Sequence, residues 1–188
     1  YHLILLAENT TGYKNLMYLV SKGFLEGFYY RPRIDKELLK SHNEGLIALS
    51  SCMHGEVGAQ ILKNNMDKAI KTAEEYSELF DDRRFYLEIQ ENNIPEQRDL
   101  NTKLIELSKK LSLPLVATND CHFHNRDDTF AHRVLIGIGL NRDLEDLQRS
   151  YAYNAEFYVK SPAEMYQLFA DYPGACERTA EIASRCHV

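Results

Sequence analysis

The sequence predicts an α/β fold in which short strands alternate with helical crossovers, and three observations carry that expectation. Four β-prone apolar runs punctuate the chain, at residues 2–6, 45–50, 85–89 and 113–118. Each is followed by a stretch with helical hydrophobic spacing. The runs recur about every 40 residues, room for a crossover helix between parallel strands.

The elements follow in order. After the first strand, Leu16, Leu19 and Val20 fall at i, i+3, i+4, one face of a helix. Beyond the second come Val57, Ile61 and Leu62, then a longer helix over 66–80. Pro95 opens the helix that carries Leu100, Leu104, Ile105 and Leu107. Pro114 sits at the entrance of the fourth strand, where a missing N–H is tolerated. Phe130, Val134, Leu135 and Ile138 mark the next helix. Two more are expected over 161–171 and 173–186, the first with Ser161 as N-cap, Pro162 behind it and Glu164 three residues on. A doubly wound sheet and a slice of a barrel both accommodate this pattern.

Composition narrows the function classes. The chain has 188 residues, 44% hydrophobic and 27% charged, enough for one domain with a substantial core. No apolar run approaches the roughly 18 residues that span a bilayer. The apolar opening has no basic region before it and no cleavage site after it, so no secretory signal is expected. The segment reads as cytoplasmic and internal to a longer protein. The net charge of −6 disfavours duplex binding by the whole surface; a nucleic-acid role would run through a local site or a metal. Cys52, Cys121, Cys176 and Cys186 form no CxxC pair, and reduced thiols are expected.

Ligands of parallel α/β folds gather where strands end, because the loops there converge. After the second strand comes Ser51-Cys52-Met53-His54, and after the fourth Asn119-Asp120-Cys121-His122. Asp120 and His122, two apart on an extended exit, can approach one ion together. Equally, Asp120 can cap the next helix while His122 is solvated. Cys52 reads as a metal thiolate or a small buried hydrophobe, and His2 as a ligand or a core histidine. His54 is taken as a surface residue, and Glu88 as alternating outward on its strand. His42, His132 and His187 look structural, and Asp127-Asp128 suit the positive end of a helix. No phosphate-binding glycine motif and no activated serine is present.

The wording of these motifs is familiar. His2-Leu3-Ile4-Leu5-Leu6-Ala7-Glu8-Asn9, Gly27-Phe28-Tyr29-Tyr30-Arg31-Pro32-Arg33-Ile34-Asp35, Gly45-Leu46-Ile47-Ala48-Leu49-Ser50-Ser51-Cys52 and Pro114-Leu115-Val116-Ala117-Thr118-Asn119-Asp120-Cys121-His122 occur in this order. Together with Glu156-Phe157-Tyr158-Val159-Lys160-Ser161 they resemble the central to C-terminal part of the PHP (polymerase and histidinol phosphatase) domain of bacterial DNA polymerase III alpha subunits. The resemblance covers essentially the whole chain. It is to the type without an inserted exonuclease domain, since helices and strand fill the stretch between Cys52 and Asp120.

The resemblance implies part of a distorted (β/α)7 barrel, with residues 1–160 as a partial PHP domain. Residues 161–188 would form a helical exit toward the polymerase body. It implies divalent metal ions, zinc foremost, with His2, Cys52, Asp120 and His122 as the ligands present and others upstream of Tyr1. It further implies DNA as partner through the full polymerase, replicase subunits including an exonuclease subunit, and no membrane. Proofreading chemistry or docking of that subunit would be the role. A free-standing PHP phosphoesterase is the rival reading, disfavoured by the 175–187 tail.

Overall fold

The computed structural model describes residues 1–81, 83–150 and 153–188. A four-stranded sheet in the order β1-β2-β3-β4 comprises β1 (Ile4–Ala7), β2 (Leu46–Leu49), β3 (Phe85–Gln90) and β4 (Leu115–Thr118). Between β1 and β2 lie α1 (Thr10–Leu25) and α2 (Lys36–Ser41); between β2 and β3, α3 (Glu56–Leu62) and α4 (Met66–Leu79). Helix α5 (Pro95–Leu111) connects β3 to β4, and α6 (Thr129–Leu140), α7 (Leu144–Ser150), α8 (Pro162–Leu168) and α9 (Glu177–Arg185) follow. No helix among the described residues is long and apolar enough to cross a membrane.

Strand alternation sorts the core into two layers. Leu46, Ala48, Phe85, Leu87, Ile89 and Ala117 face α3, α4 and α5, where Val57, Ala73, Leu100 and Leu104 meet them. Ile47, Leu49, Tyr86 and Val116 face the other way and are covered by Ile182 of α9. A sheet buried on both faces reads as near-continuous apolar runs, which is why β2 shows no alternation. At the outer edge of β4 the Ala117 N–H donates to the Ala175 carbonyl at 3.0 Å.

Helix starts are where their caps put them. Asn9, Asp35 and Asn65 accept from the backbone N–H groups of Gly12, Leu38 and Lys68. Ser161 and Glu164 form the expected capping box, with Pro162 at the first helical position.

One expectation fails. Strands β2, β3 and β4 are parallel, but β1 pairs with β2 antiparallel, Ala7 opposite Leu46 and Ile4 opposite Leu49. The turn before β2 is bonded to the end of β1 and to α1. The Glu8 N–H donates to the Gly45 carbonyl at 2.8 Å, and Asn15 Nδ2 donates to the Glu44 carbonyl at 2.9 Å. The first turn of α1 therefore sits directly on the turn that starts β2, holding the end of β1 beside it. Only a glycine at position 12 permits this, because a Cβ there would overlap the Gly45 carbonyl, 2.5 Å from its carbon.

Candidate metal centre

The antiparallel β1 decides where His2 lies. Its amino end neighbours the carboxyl end of β2, so His2, just before the strand, arrives at the exit loop of β2. There it forms an isolated bridge with Gly55, its N–H donating to the His54 carbonyl at 3.0 Å. A parallel β1 would have placed His2 at the opposite end of the sheet from Cys52.

Cys52 Sγ lies 3.9 Å from His2 Nδ1 and 3.7 Å from His54 Nδ1. The ligand atoms of these three residues all fall within 4.8 Å of one another. In a tetrahedral site with a thiolate at 2.3 Å and imidazoles near 2.05 Å, the S···N edge is about 3.6 Å. The two sulfur–nitrogen separations need to close by only a few tenths of an ångström, and a thiolate with two imidazoles is a donor set that suits a metal ion. His54, read from sequence as a surface residue, is exposed as expected and also belongs to this group. Its two-residue spacing from Cys52 is the spacing that singled out Asp120 and His122.

Those two form a second pair. His122 Nε2 lies 3.2 Å from Asp120 Oδ1, close to the roughly 3.3 Å edge between neighbouring nitrogen and oxygen ligands. The His122 ring packs on Tyr153 and Phe157, with centroids at 4.2 and 5.5 Å, and its backbone N–H donates to the Phe157 carbonyl at 2.8 Å. The ring is thus oriented by an aromatic wall. Asp120 sits at φ 26° and Ser51 at φ 67°, so the chain turns sharply at both strand exits.

The four residues expected from sequence are therefore two contacting pairs, His2 with Cys52 and Asp120 with His122. They lie beyond the carboxyl ends of parallel β2 and β4, with β3 between. Glu88 of β3 joins the two exits. Its backbone N–H donates to Ser50 Oγ at 2.9 Å, and its Oε1 accepts from the Thr118 hydroxyl and from Gln90 Nε2 at 3.0 Å. Glu88 does not alternate outward: it is 5% exposed, and its Oε2 is buried without a hydrogen-bond partner. Burial raises its pKa above the ordinary carboxyl value, with Asp120 adding repulsion; the Thr118, Gln90 and Ser51 donors oppose the shift.

Known proteins resemble this arrangement in sequence. Residues 1–92 match the PHP domain family. The whole chain is 43% identical over 188 residues to DNA polymerase III subunit alpha of Treponema pallidum. It is 44% identical over 196 residues to that of Helicobacter pylori and 43% over 191 residues to that of Thermus aquaticus. These alignments take in 99–100% of the chain, which spans about 16% of the length of each relative. The PHP match holds His2, Cys52, His54 and Glu88; Asp120 and His122 lie beyond it, within the alignment to the polymerase subunits.

Glu88 yields a prediction. A carboxyl whose folded-state pKa is raised costs the fold stability above that pKa, and the cost vanishes as pH falls through it. Neutral Glu88→Gln should therefore leave the metal-free chain at least as stable at neutral pH. It also removes a charge from beside Asp120 and should weaken zinc binding roughly tenfold or more. Thermal melts without metal, beside zinc titrations, check both signs. A lower melting temperature with unchanged affinity would make Glu88 a purely structural residue.

Proposed function

We propose that this chain is the metal-binding PHP segment of a bacterial replicative DNA polymerase alpha subunit and supports cleavage of the phosphodiester at a DNA 3′ end, as in proofreading. In this reading the sheet is part of a distorted (β/α)7 barrel, with residues 1–160 in the domain and 161–188 leading to the polymerase body. The full protein works in the cytoplasm on DNA, beside other replicase subunits. The observation that carries the metal assignment is the spacing of Cys52 Sγ from His2 and His54 Nδ1, 3.9 and 3.7 Å, against an ideal edge of about 3.6 Å.

A thiolate with two imidazoles favours zinc over magnesium, calcium and manganese, and such an ion, when bound, lowers the pKa of its water and screens phosphate charge. The residues do the holding. Cys52 and His54 present their ligand atoms from one tight loop, and His2 is brought to it by its bridge to Gly55. Asp120 and His122, the latter fixed against Tyr153 and Phe157, offer a carboxylate and an imidazole for a neighbouring ion.

The test uses the full alpha subunit containing this segment. Stripping metal and restoring zinc should abolish and then restore removal of a mismatched 3′ nucleotide. Retained zinc without any such hydrolysis would leave the segment as a docking platform for a separate exonuclease subunit and overturn the catalytic reading.

A further inference from the structure

We propose that the loop over residues 28–33 is a binding platform for single-stranded nucleic acid, leading bases and phosphates toward the cavity beside His2. The loop carries Phe28, Tyr29, Tyr30, Arg31 and Arg33 in close succession, with no acidic residue among them. Alternating aromatic faces and guanidinium groups is the chemistry that holds single strands: bases stack on the rings and phosphates pair with the cations.

The loop is built to present these groups. Tyr29 and Arg31 bridge to each other, with the Tyr29 N–H on the Arg31 carbonyl at 3.1 Å. That closes a turn with Tyr30 at its tip, at φ 59° and 82% exposed. A tyrosine in the left-handed region, where glycine is favoured, is held there at a cost by its surroundings. The neck is fixed by Gly27, where a Cβ would overlap the Arg33 carbonyl, 3.0 Å from its carbon. Arg33 lies over the Tyr29 ring at 5.0 Å and donates to the Tyr29 carbonyl at 2.6 Å. The platform is thus ordered before any ligand arrives.

Charge and continuity point to an anionic strand as the occupant. A cavity of about 340 Å³ is lined by His2 on one side and by Pro32 and Arg33 on another. Its acidic groups are engaged: Glu56 pairs with Lys36 at 2.9 Å, and Asp35 accepts from the Leu38 N–H at 2.8 Å. Arg31 and Arg33 have no carboxylate partner among the described residues. An acidic protein with this local exception suits a site that reads a short single strand and rejects binding elsewhere on its surface.

The proposal deepens the phosphodiester reading but is tested apart from it, in chelator, with no metal bound. Fluorescein-labelled oligo(dT) is titrated against the chain at low salt and followed by anisotropy, then repeated with oligo(dA). Binding of both strands, weakening as salt rises, is expected. Tyr30→Ala should weaken it roughly tenfold or more, and Arg33→Gln should also lower the salt dependence. Tyr30→Gly removes the ring while relieving the backbone, so it should lose binding with an unchanged or higher melting temperature. Phe130→Ala, at an exposed aromatic on α6, should change nothing. No binding by the unaltered chain, or equal binding by the Tyr30 and Arg33 variants, overturns the proposal and leaves the loop as a protein-contact surface. A separate zinc titration reports on the metal centre whichever way this result falls.

Discussion

Cys52→Ala should weaken zinc binding by about a hundredfold or more. Structural zinc sites bind with apparent free energies of about 10–16 kcal/mol over four ligands, so each ligand contributes roughly 3 kcal/mol, and every 1.4 kcal/mol is a factor of ten. The thiolate is the donor that distinguishes this site from an ordinary histidine cluster. Cys52→Ser should therefore lose zinc far more than it loses manganese or magnesium, which prefer oxygen. The other cysteines provide the comparison. Among the described residues neither Cys176 nor Cys186 belongs to a group of three possible ligands, and burial raises both thiols, with Glu177 and Glu8 adding to the shifts. Cys186→Ala should leave zinc affinity unchanged. Competition against a chromophoric chelator measures all three variants; equal affinity for Cys52→Ala would remove the thiolate from the site.

Gly12→Ala should destabilise the fold by about 3 kcal/mol, close to 10 °C in melting temperature for a chain of this size. The added carbon would meet the Gly45 carbonyl carbon at 2.5 Å, and neither backbone can yield easily. The Gly45 carbonyl already accepts the Glu8 N–H, and Gly45 itself sits at φ 68°. Relief requires lifting the first turn of α1 away from the β1–β2 end of the sheet, which also moves His2. Zinc affinity should fall with stability. The same substitution at Gly139 is the control, because no atom lies within 4 Å of a Cβ there. Within α6 it should stabilise by roughly 0.5–1 kcal/mol. Paired thermal melts show whether the two glycine changes have opposite signs.

The contrast between these glycines explains what the sequence could and could not reveal. Strands β2 to β4 and the helices between them were legible because hydrophobic spacing is local, and so was the Ser161–Glu164 cap. The direction of β1 was not, because it depends on Gly12 meeting Gly45, 33 positions away. Helix α2 has six residues, too few for a period to show, and it was not expected. The candidate site was half legible. Cys52, Asp120 and His122 stand out as ligand types at strand exits, whereas His2 reaches the site only through the unexpected orientation of β1. His54 carried a readable signal in its spacing from Cys52. Glu88 was misread because alternation assumes water on one face. In a sheet covered on both faces, a polar residue inside an apolar strand marks an interior group with a specific partner.

The most direct test of the metal centre is X-ray absorption at the zinc edge of the chain loaded with one equivalent of zinc. The geometry predicts one sulfur ligand near 2.3 Å and imidazole nitrogens near 2.0–2.1 Å. The sulfur shell should vanish in Cys52→Ala, and the imidazole signal should fall in His54→Ala. A first shell of nitrogen and oxygen alone in the unaltered protein would contradict the assignment of Cys52, His2 and His54 as a metal site.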